Sequence, residues 1–291
     1  MAGVKQQKRP NRDVAAVNGR PAEAKPSANG AAAETTTASN ASQPAAVPTA
    51  VSRSFAGGRR LTRRRLHEQL ARAAASCQNR SLVQRIKRLA RVLTNKPFDE
   101  QRRRQGGVLL EGCLDAVAET ADLADRCVAC EAIAWGLAWL VRNKQADATA
   151  GGLLQRLVQA ASTTIDGEPL EREGAAPFVL TLAGLFADVE DCRAIGVAVR
   201  DHVEQDIAAT VGEMGGIRAT TADEMLGKLC NWLRCQESLA ATGAAPFSKP
   251  TLKAIDRAVE AAVRLLGRAG RPVTDVAPLP PGMVEPLLRA A

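Results

Sequence analysis

Glu131 is the residue of this sequence best placed for acid–base chemistry. It is the one charged residue in the apolar stretch 127–141, which also holds Trp135 and Trp139. A titratable group in apolar surroundings is a candidate proton donor, because catalytic acids are often placed in this way. The alternative is that Glu131 occupies the solvent-facing position of an otherwise packed helix.

A second group of carboxylates lies in the polar segment 163–174. Asp166 and Glu168 are followed there by Glu171 and Glu173, and clustered carboxylates serve divalent metal sites and glycosidases. The spacing matches no calcium-binding loop, and Asp-Gly and Glu-Pro pairs are also ordinary turn sequences. Segment 163–174 is therefore predicted to be a surface loop, with Asp166 and Glu168 as candidate catalytic residues.

Cys127 and Cys130 have the spacing of half a zinc site, because residues i and i+3 share one face of a helix. Cys230 and Cys235 do not supply the other half, since a separation of five residues places them about 140° apart around a helix. We therefore interpret Cys127 and Cys130 as small core residues. Neither a metal nor another cofactor is expected.

The strongest charge pattern is a basic region that precedes an acidic one. Residues 53–104 contain 16 basic and 3 acidic residues, whereas residues 105–291 contain 17 basic and 25 acidic residues, so their net charges are +13 and −8. A basic segment of this kind attracts phosphate groups, anionic lipid or an acidic protein surface. The candidate anion-binding residues are Arg59, Arg60, Arg63, Arg64, Arg65, Arg85, Lys87, Arg88 and Arg91.

Binding by these residues is predicted to be directed at a nucleic acid backbone or at acidic side chains. No Phe, Trp or Tyr is interleaved with them, and aromatic rings are what stack on single-stranded bases. Two alternatives stay open: the arginines dock on the acidic part of the same chain, or they only solvate a surface.

Helical periodicity predicts the elements that position these residues. Two amphipathic helices are expected after Leu61, and residues 126–142 are expected to form the central core helix. A break is expected at Gly106 and Gly107. The remaining helices are expected to start near residues 108, 151, 176, 189, 222 and 250. No segment alternates with period two, so the fold is predicted to be all-α, with antiparallel helical hairpins packed as a bundle, a solenoid or a partial α/α ring.

Helical hairpins separated by glycine-containing loops over residues 108–268 resemble the α/α-toroid architecture of several glycosidases, polysaccharide lyases and terpenoid cyclases. The resemblance implies an enzyme that uses Glu131 or the carboxylates of segment 163–174. However, lyases of that group commonly use tyrosine as an acid or base, and this sequence contains no Tyr and only 3% aromatic residues. The pattern supplies no residue-by-residue match to that architecture.

Composition divides the chain into four predicted segments. Residues 1–57 are expected to be a disordered arm rich in Ala, Ser and Pro, 58–104 basic amphipathic helices, 105–270 an acidic all-α domain and 271–291 a Pro-rich strap. No signal segment or membrane-spanning stretch is recognisable, and the odd number of seven cysteines favours reduced thiols. A soluble cytoplasmic protein is expected; the alternative is an organellar transit peptide within the first 60 residues.

The leading hypothesis is a non-enzymatic helical interaction protein whose basic helices contact an anionic partner, either nucleic acid or an acidic protein surface. The competing hypothesis is a toroid-like enzyme that uses carboxylates. A third is an adaptor that stacks with copies of itself as a homo-oligomer.

Overall fold

Periodic apolar residues form nine α-helices in the computed structural model, which describes residues 61–143, 148–167 and 169–265. The helices are α1 (Arg63–Ser76), α2 (Arg80–Thr94), α3 (Glu100–Ala118), α4 (Leu123–Arg142), α5 (Ala148–Ile165), α6 (Pro169–Leu185), α7 (Glu190–Thr210), α8 (Ala222–Thr242) and α9 (Lys249–Leu265). These ranges contain no strand, and an isolated β-bridge joins Val211 to Ile217. The predicted all-α fold is confirmed.

Some of the sequence predictions concern residues outside the three ranges that the structure describes. They are the arm 1–57, the strap 271–291 and the candidate site residues Arg59, Arg60 and Glu168.

The central helix is α4, because its apolar residues are distributed around its whole circumference. Every residue from Cys127 to Val141 is buried except Glu131, which is half-buried. Helices α1, α2, α3, α5 and α6 all contact α4. A helix that is apolar on all sides is stable only inside a core. The prediction that residues 126–142 form the central core helix is therefore confirmed.

Consecutive helices pack in pairs, as the predicted hairpins require. Helix α1 packs on α2, α3 on α4 and α5 on α6, and α6 also contacts α7 and α8. In the described ranges, apolar residues of all nine helices form one continuous core. The boundary placed between residues 104 and 105 falls inside α3, so the basic and acidic segments share this core. None of the helices described is both long and apolar enough to cross a membrane.

The start of α4 also fixes the turn between α1 and α2. Asp122 caps α4, because its carboxylate accepts a hydrogen bond from the backbone N–H of Asp125 at 2.7 Å. Asp125 is itself buried, and it accepts hydrogen bonds from the backbone N–H groups of Gln78 at 2.7 Å and Asn79 at 2.8 Å. Since Asn79 is the N-cap of α2, Asp125 orients the most basic helix of the chain against the core.

The predicted helix break at Gly106 and Gly107 is wrong, and so is the predicted helix start near residue 108. Both glycines lie inside α3, which begins at Glu100. Glycine weakens an isolated helix by about 1 kcal/mol relative to alanine, but Gly106 is buried where the side chains of Leu93 and Leu140 leave no room for a Cβ. The glycine therefore lets α3 pack closely against α2 and α4, and that packing keeps the segment helical.

The prediction of a polar loop over residues 163–174 is also wrong. Helix α5 continues to Ile165, and α6 begins at Pro169 instead of near residue 176. Proline is well tolerated in the first turn of a helix, because the N–H that it lacks has no helical acceptor there. Of the turn-forming pairs in this segment, Asp166 and Gly167 therefore lie outside the helices, whereas Pro169 is part of α6.

Candidate anion-binding surface

Helix α2 has one apolar and one basic face. Leu82, Ile86, Leu89 and Leu93 are buried on the first face. Arg80, Lys87, Arg88 and Arg91 are exposed on the other, and we call these four residues the basic face of α2. At 100° per residue, three of them lie within about 40° of one another around the helix, and the face is about 16 Å long.

The positive charges of the basic face are not neutralised by neighbouring carboxylates. Helix α2 contains no acidic residue. In the part of the chain that the structure describes, none of the four side chains forms an ion pair or a hydrogen bond. Arg80, Lys87 and Arg91 therefore lie along one line on the surface, with Arg88 to one side, and all four remain available to an external anion.

The other candidate arginines are engaged with the protein to different degrees. Arg64 is exposed and pairs with Glu68 at 2.8 Å, and Arg85 donates to the carbonyl of Gly112 at 3.1 Å. Arg63 and Arg65 are half-buried.

Helix α1 is attached to α8 through its own cations. Arg65 donates to the carbonyl of Ala240 at 3.0 Å. About two turns later, Arg72 pairs with Glu237 at 3.0 Å. The hydrogen bond and the ion pair hold the first basic helix against the acidic part of the chain, so α1 offers fewer free cations than α2.

A groove between α1 and α2 borders the basic face. Its volume is about 510 Å³, and Leu70, Ala74 and Ala90 are among the apolar residues that line it. Lys87 and Arg91 also line the groove. The basic face is thus continuous with a surface of small apolar side chains.

Arg80 is the one member of the basic face that the sequence analysis missed. It precedes Lys87 by seven residues and Arg91 by eleven, which are close to two and three full helical turns. This spacing was a usable signal, because it places the three residues on the same side of the helix.

Glu131 forms an interhelical ion pair instead of facing solvent alone. Its Oε2 lies 3.2 Å from Nη2 of Arg234 in α8, and the Thr181 hydroxyl in α6 donates to Oε1 at 3.5 Å. The adjacent cavity has a volume of about 20 Å³, which is enough for roughly one water molecule. A substrate would not fit there.

Asp166 does not join Glu131. It is exposed in the turn that follows α5, and it does not line the small cavity beside Glu131. The pair of facing carboxylates that a glycosidase requires is therefore not assembled by these two residues.

Cys127 and Cys130 are both buried, and they line a cavity of about 320 Å³ among α3, α4, α5 and α6. Burial raises the pKa of the Cys127 thiol to about 11 and that of Cys130 to about 12. Thiols that stay protonated are poor nucleophiles and poor metal ligands. Within residues 61–143, 148–167 and 169–265, no three His, Cys, Asp or Glu residues are grouped as a metal site would require.

No protein-family model, curated protein or solved structure matches this chain. Its function must therefore be inferred from its own charges and cavities. Among the described candidates, Glu131 is paired, Asp166 lies apart from it, and Cys127 and Cys130 are buried as neutral thiols. The cations of α2 are exposed and aligned.

Proposed function

We propose that this protein is a non-enzymatic helical interaction protein that binds an anionic partner through the basic face of α2. The observation that supports the proposal is the alignment of Arg80, Lys87, Arg88 and Arg91 on the exposed side of a helix whose opposite side is buried in the core. The helix is held rigidly, since Asp125 fixes its start. Aligned cations on a rigid element bind anions at a lower entropic cost than cations on a flexible tail.

The partner is either an acidic protein surface or a nucleic acid backbone, and the groove between α1 and α2 favours the protein. Phosphate groups need only cations, and each contact releases counterions. An acidic amphipathic helix would also need an apolar surface beside the cations, as helix-in-groove complexes have. The groove provides such a surface through Ala71, Ala75 and Ala90, which line it and are exposed or half-buried.

A cytoplasmic location is part of the same proposal. All seven cysteines are free and buried, and free thiols are typical of proteins kept in a reducing compartment. Self-association as a homo-oligomer is an additional proposal, which light scattering of the full-length protein would test.

Fluorescence anisotropy with the full-length protein tests the binding proposal. The labelled probes are duplex DNA, single-stranded RNA and a Glu-rich peptide predicted to form an amphipathic helix. A polyanion that contacts four cations should lose about a hundredfold in affinity between 50 and 200 mM salt. Tighter binding of the peptide than of both nucleic acids supports the acidic protein partner, and the reverse order supports the nucleic acid.

A matched pair of triple variants separates the basic face from net charge. Changing Arg80, Lys87 and Arg91 to Gln should abolish salt-sensitive binding. Changing Arg218, Lys249 and Lys253 to Gln removes the same charge from exposed residues elsewhere, and it should leave most of the binding intact. Equal losses in both variants, or no salt-sensitive binding to any probe, would contradict the proposal.

A further inference from the structure

Another cavity, of about 420 Å³, lies away from the basic face of α2. It is enclosed by the beginning of α1, the middle of α4, the connection from α6 to α7 and the end of α8. Trp135, Leu180 and Leu239 contribute apolar surface to it. This volume falls within the range of about 300–1,000 Å³ found for small-molecule sites.

Small residues at the ends of two helices create this space. Ala183 and Gly184 come near the end of α6, and Ala241, Gly243 and Ala244 come at the end of α8 and just beyond it. All five line the cavity. Because protein interiors are normally packed without large voids, a run of short side chains facing one volume leaves room for a ligand.

The walls of the cavity carry an excess of positive charge. Arg65, Arg142, Arg193 and Arg200 all line it, whereas Asp188 is its one acidic lining residue. Three of the arginines are held in place by backbone carbonyls. Arg65 donates to Ala240 at 3.0 Å, Arg142 to Leu61 at 3.0 Å and Arg200 to Ala245 at 3.1 Å.

Arg142 and Arg193 keep guanidinium donors for a ligand at this cavity. A guanidinium has five N–H groups, so a single carbonyl occupies only part of its capacity. Arg200 is the most fully engaged of the four, since Glu204 also lies 3.4 Å from it. Arg193 is exposed and has no partner among the described residues.

Trp135 lines the cavity and also holds a buried polar group elsewhere on its ring. Its side chain is 2% exposed, and its indole N–H has no acceptor in the described part of the chain. A buried donor without a partner costs about 1–3 kcal/mol, and most such groups in native proteins have an identifiable reason. The indole nitrogen has almost no accessible surface, so a ligand in the cavity does not reach this donor.

From the apolar walls and the excess of guanidinium groups, we infer that this cavity binds a small organic carboxylate with an apolar body. The carboxylate pairs with the arginines, and the apolar body lies among Trp135, Leu180 and Leu239. Charge-assisted contacts to guanidinium favour a carboxylate over a neutral group. None of the four residues of the basic face of α2 lines this cavity, so the two sites share none of these cations.

Isothermal titration calorimetry of the full-length protein tests the inference with three probes of matched chemistry. Sodium decanoate carries both the anion and the apolar body, decan-1-ol only the apolar body and inorganic phosphate only the anion. Decanoate should bind at a single saturable site, at least about tenfold more tightly than decan-1-ol. Phosphate should give no saturable heat.

Two variants locate the site. Arg193→Gln should weaken decanoate binding by about threefold to fivefold, and the double variant Arg142→Gln/Arg193→Gln by about tenfold or more. Arg218→Gln is the matched control, because Arg218 is exposed, has no side-chain partner among the described residues and does not line the cavity.

Thermal melts of the same samples would show that the variants are folded. Equal affinities for decanoate and decan-1-ol, equal effects of Arg193→Gln and Arg218→Gln, or no saturable binding of decanoate would each overturn the inference.

Discussion

Glu131 and Arg234 are joined by an ion pair of 3.2 Å that connects the central helix α4 to α8. Their side chains are 16% and 32% exposed, so the pair is partly shielded from solvent. Next to it, Arg72 of α1 pairs with Glu237, also of α8. The one charged residue of the central apolar stretch therefore has a structural partner, and the two pairs together fix α8 against α1 and α4.

We expect Glu131 and Arg234 to be energetically coupled. Glu131→Gln and Arg234→Gln should each lower the free energy of unfolding, because each leaves a half-buried charge without its partner. In a double-mutant cycle measured by urea denaturation, the coupling should be about 1 kcal/mol.

The exposed pair Arg64 and Glu68 provides the control for this cycle, since its members are 90% and 52% exposed. Its coupling should be no more than about 0.5 kcal/mol. Equal coupling in the two pairs would contradict the structural role of Glu131. A Glu131→Gln variant more stable than the native protein would favour a functional carboxylate instead, because active-site groups are often kept at the expense of stability.

We expect two glycine-to-alanine changes to have opposite effects on stability. A Cβ at Gly196 of α7 would overlap the Cβ of Ala183 in α6. Gly196→Ala should therefore destabilise the protein by about 1–3 kcal/mol, as overpacking usually does. Gly152 is exposed in α5 with open space around it. Gly152→Ala should stabilise the protein by about 0.5–1 kcal/mol, because alanine has the higher helix propensity.

Thermal unfolding followed by circular dichroism at 222 nm measures both changes. If the Gly196→Ala protein unfolds at the same temperature as the native protein, α6 and α7 can move apart with little loss of free energy. That result would contradict their close packing.

We expect the buried thiols to make the fold sensitive to high pH. Burial raises the pKa of Cys130 and of Cys192 from an ordinary value of 9.0 to about 12. The folded state therefore favours the neutral thiols, and this contribution to stability is complete below about pH 9. It should be lost progressively as the pH rises from about 9 toward 12, because the unfolded chain releases these protons first.

Thiolate absorbance at 240 nm measures this difference directly. In urea the thiols should titrate near pH 9, and in the native protein only well above that value. At pH 8, iodoacetamide should label all seven cysteines in urea and should react far more slowly with the native protein. A cysteine alkylated equally fast in both states would contradict its burial. Lysines also titrate in this range, so the variant Cys130→Ala is the control, and it should show a smaller loss of stability above pH 9.

Local periodicity was enough to predict the helices whose apolar residues form a regular stripe. In α7 the apolar residues Cys192, Val199 and Ile207 recur at helical spacing, and all three are buried. At the start of α8, Thr221 and Glu224 have the spacing of a capping box, and the Thr221 hydroxyl accepts a hydrogen bond from the backbone N–H of Glu224 at 3.1 Å. Both features are determined by residues within one or two helical turns, so an isolated sequence contains the information.

Prediction from sequence was less reliable where distant residues decide the outcome. Gly106 suggests a break, yet Leu93 and Leu140 pack around it and α3 continues. Likewise, nothing near Glu131 in the sequence indicates that its partner is Arg234, 103 positions away.

The sequence by itself determined the all-α class, the central apolar helix and the separation of basic from acidic charge, because these depend on residue type and short spacing. Only the tertiary structure decided which cations remain free. It attaches Arg65 to the carbonyl of Ala240, leaves Lys87 and Arg91 on the surface, and brings Arg142 and Arg193 from different helices to one cavity. A charge pattern records how many cations a segment has, whereas their availability depends on the carbonyls and carboxylates that folding places beside them.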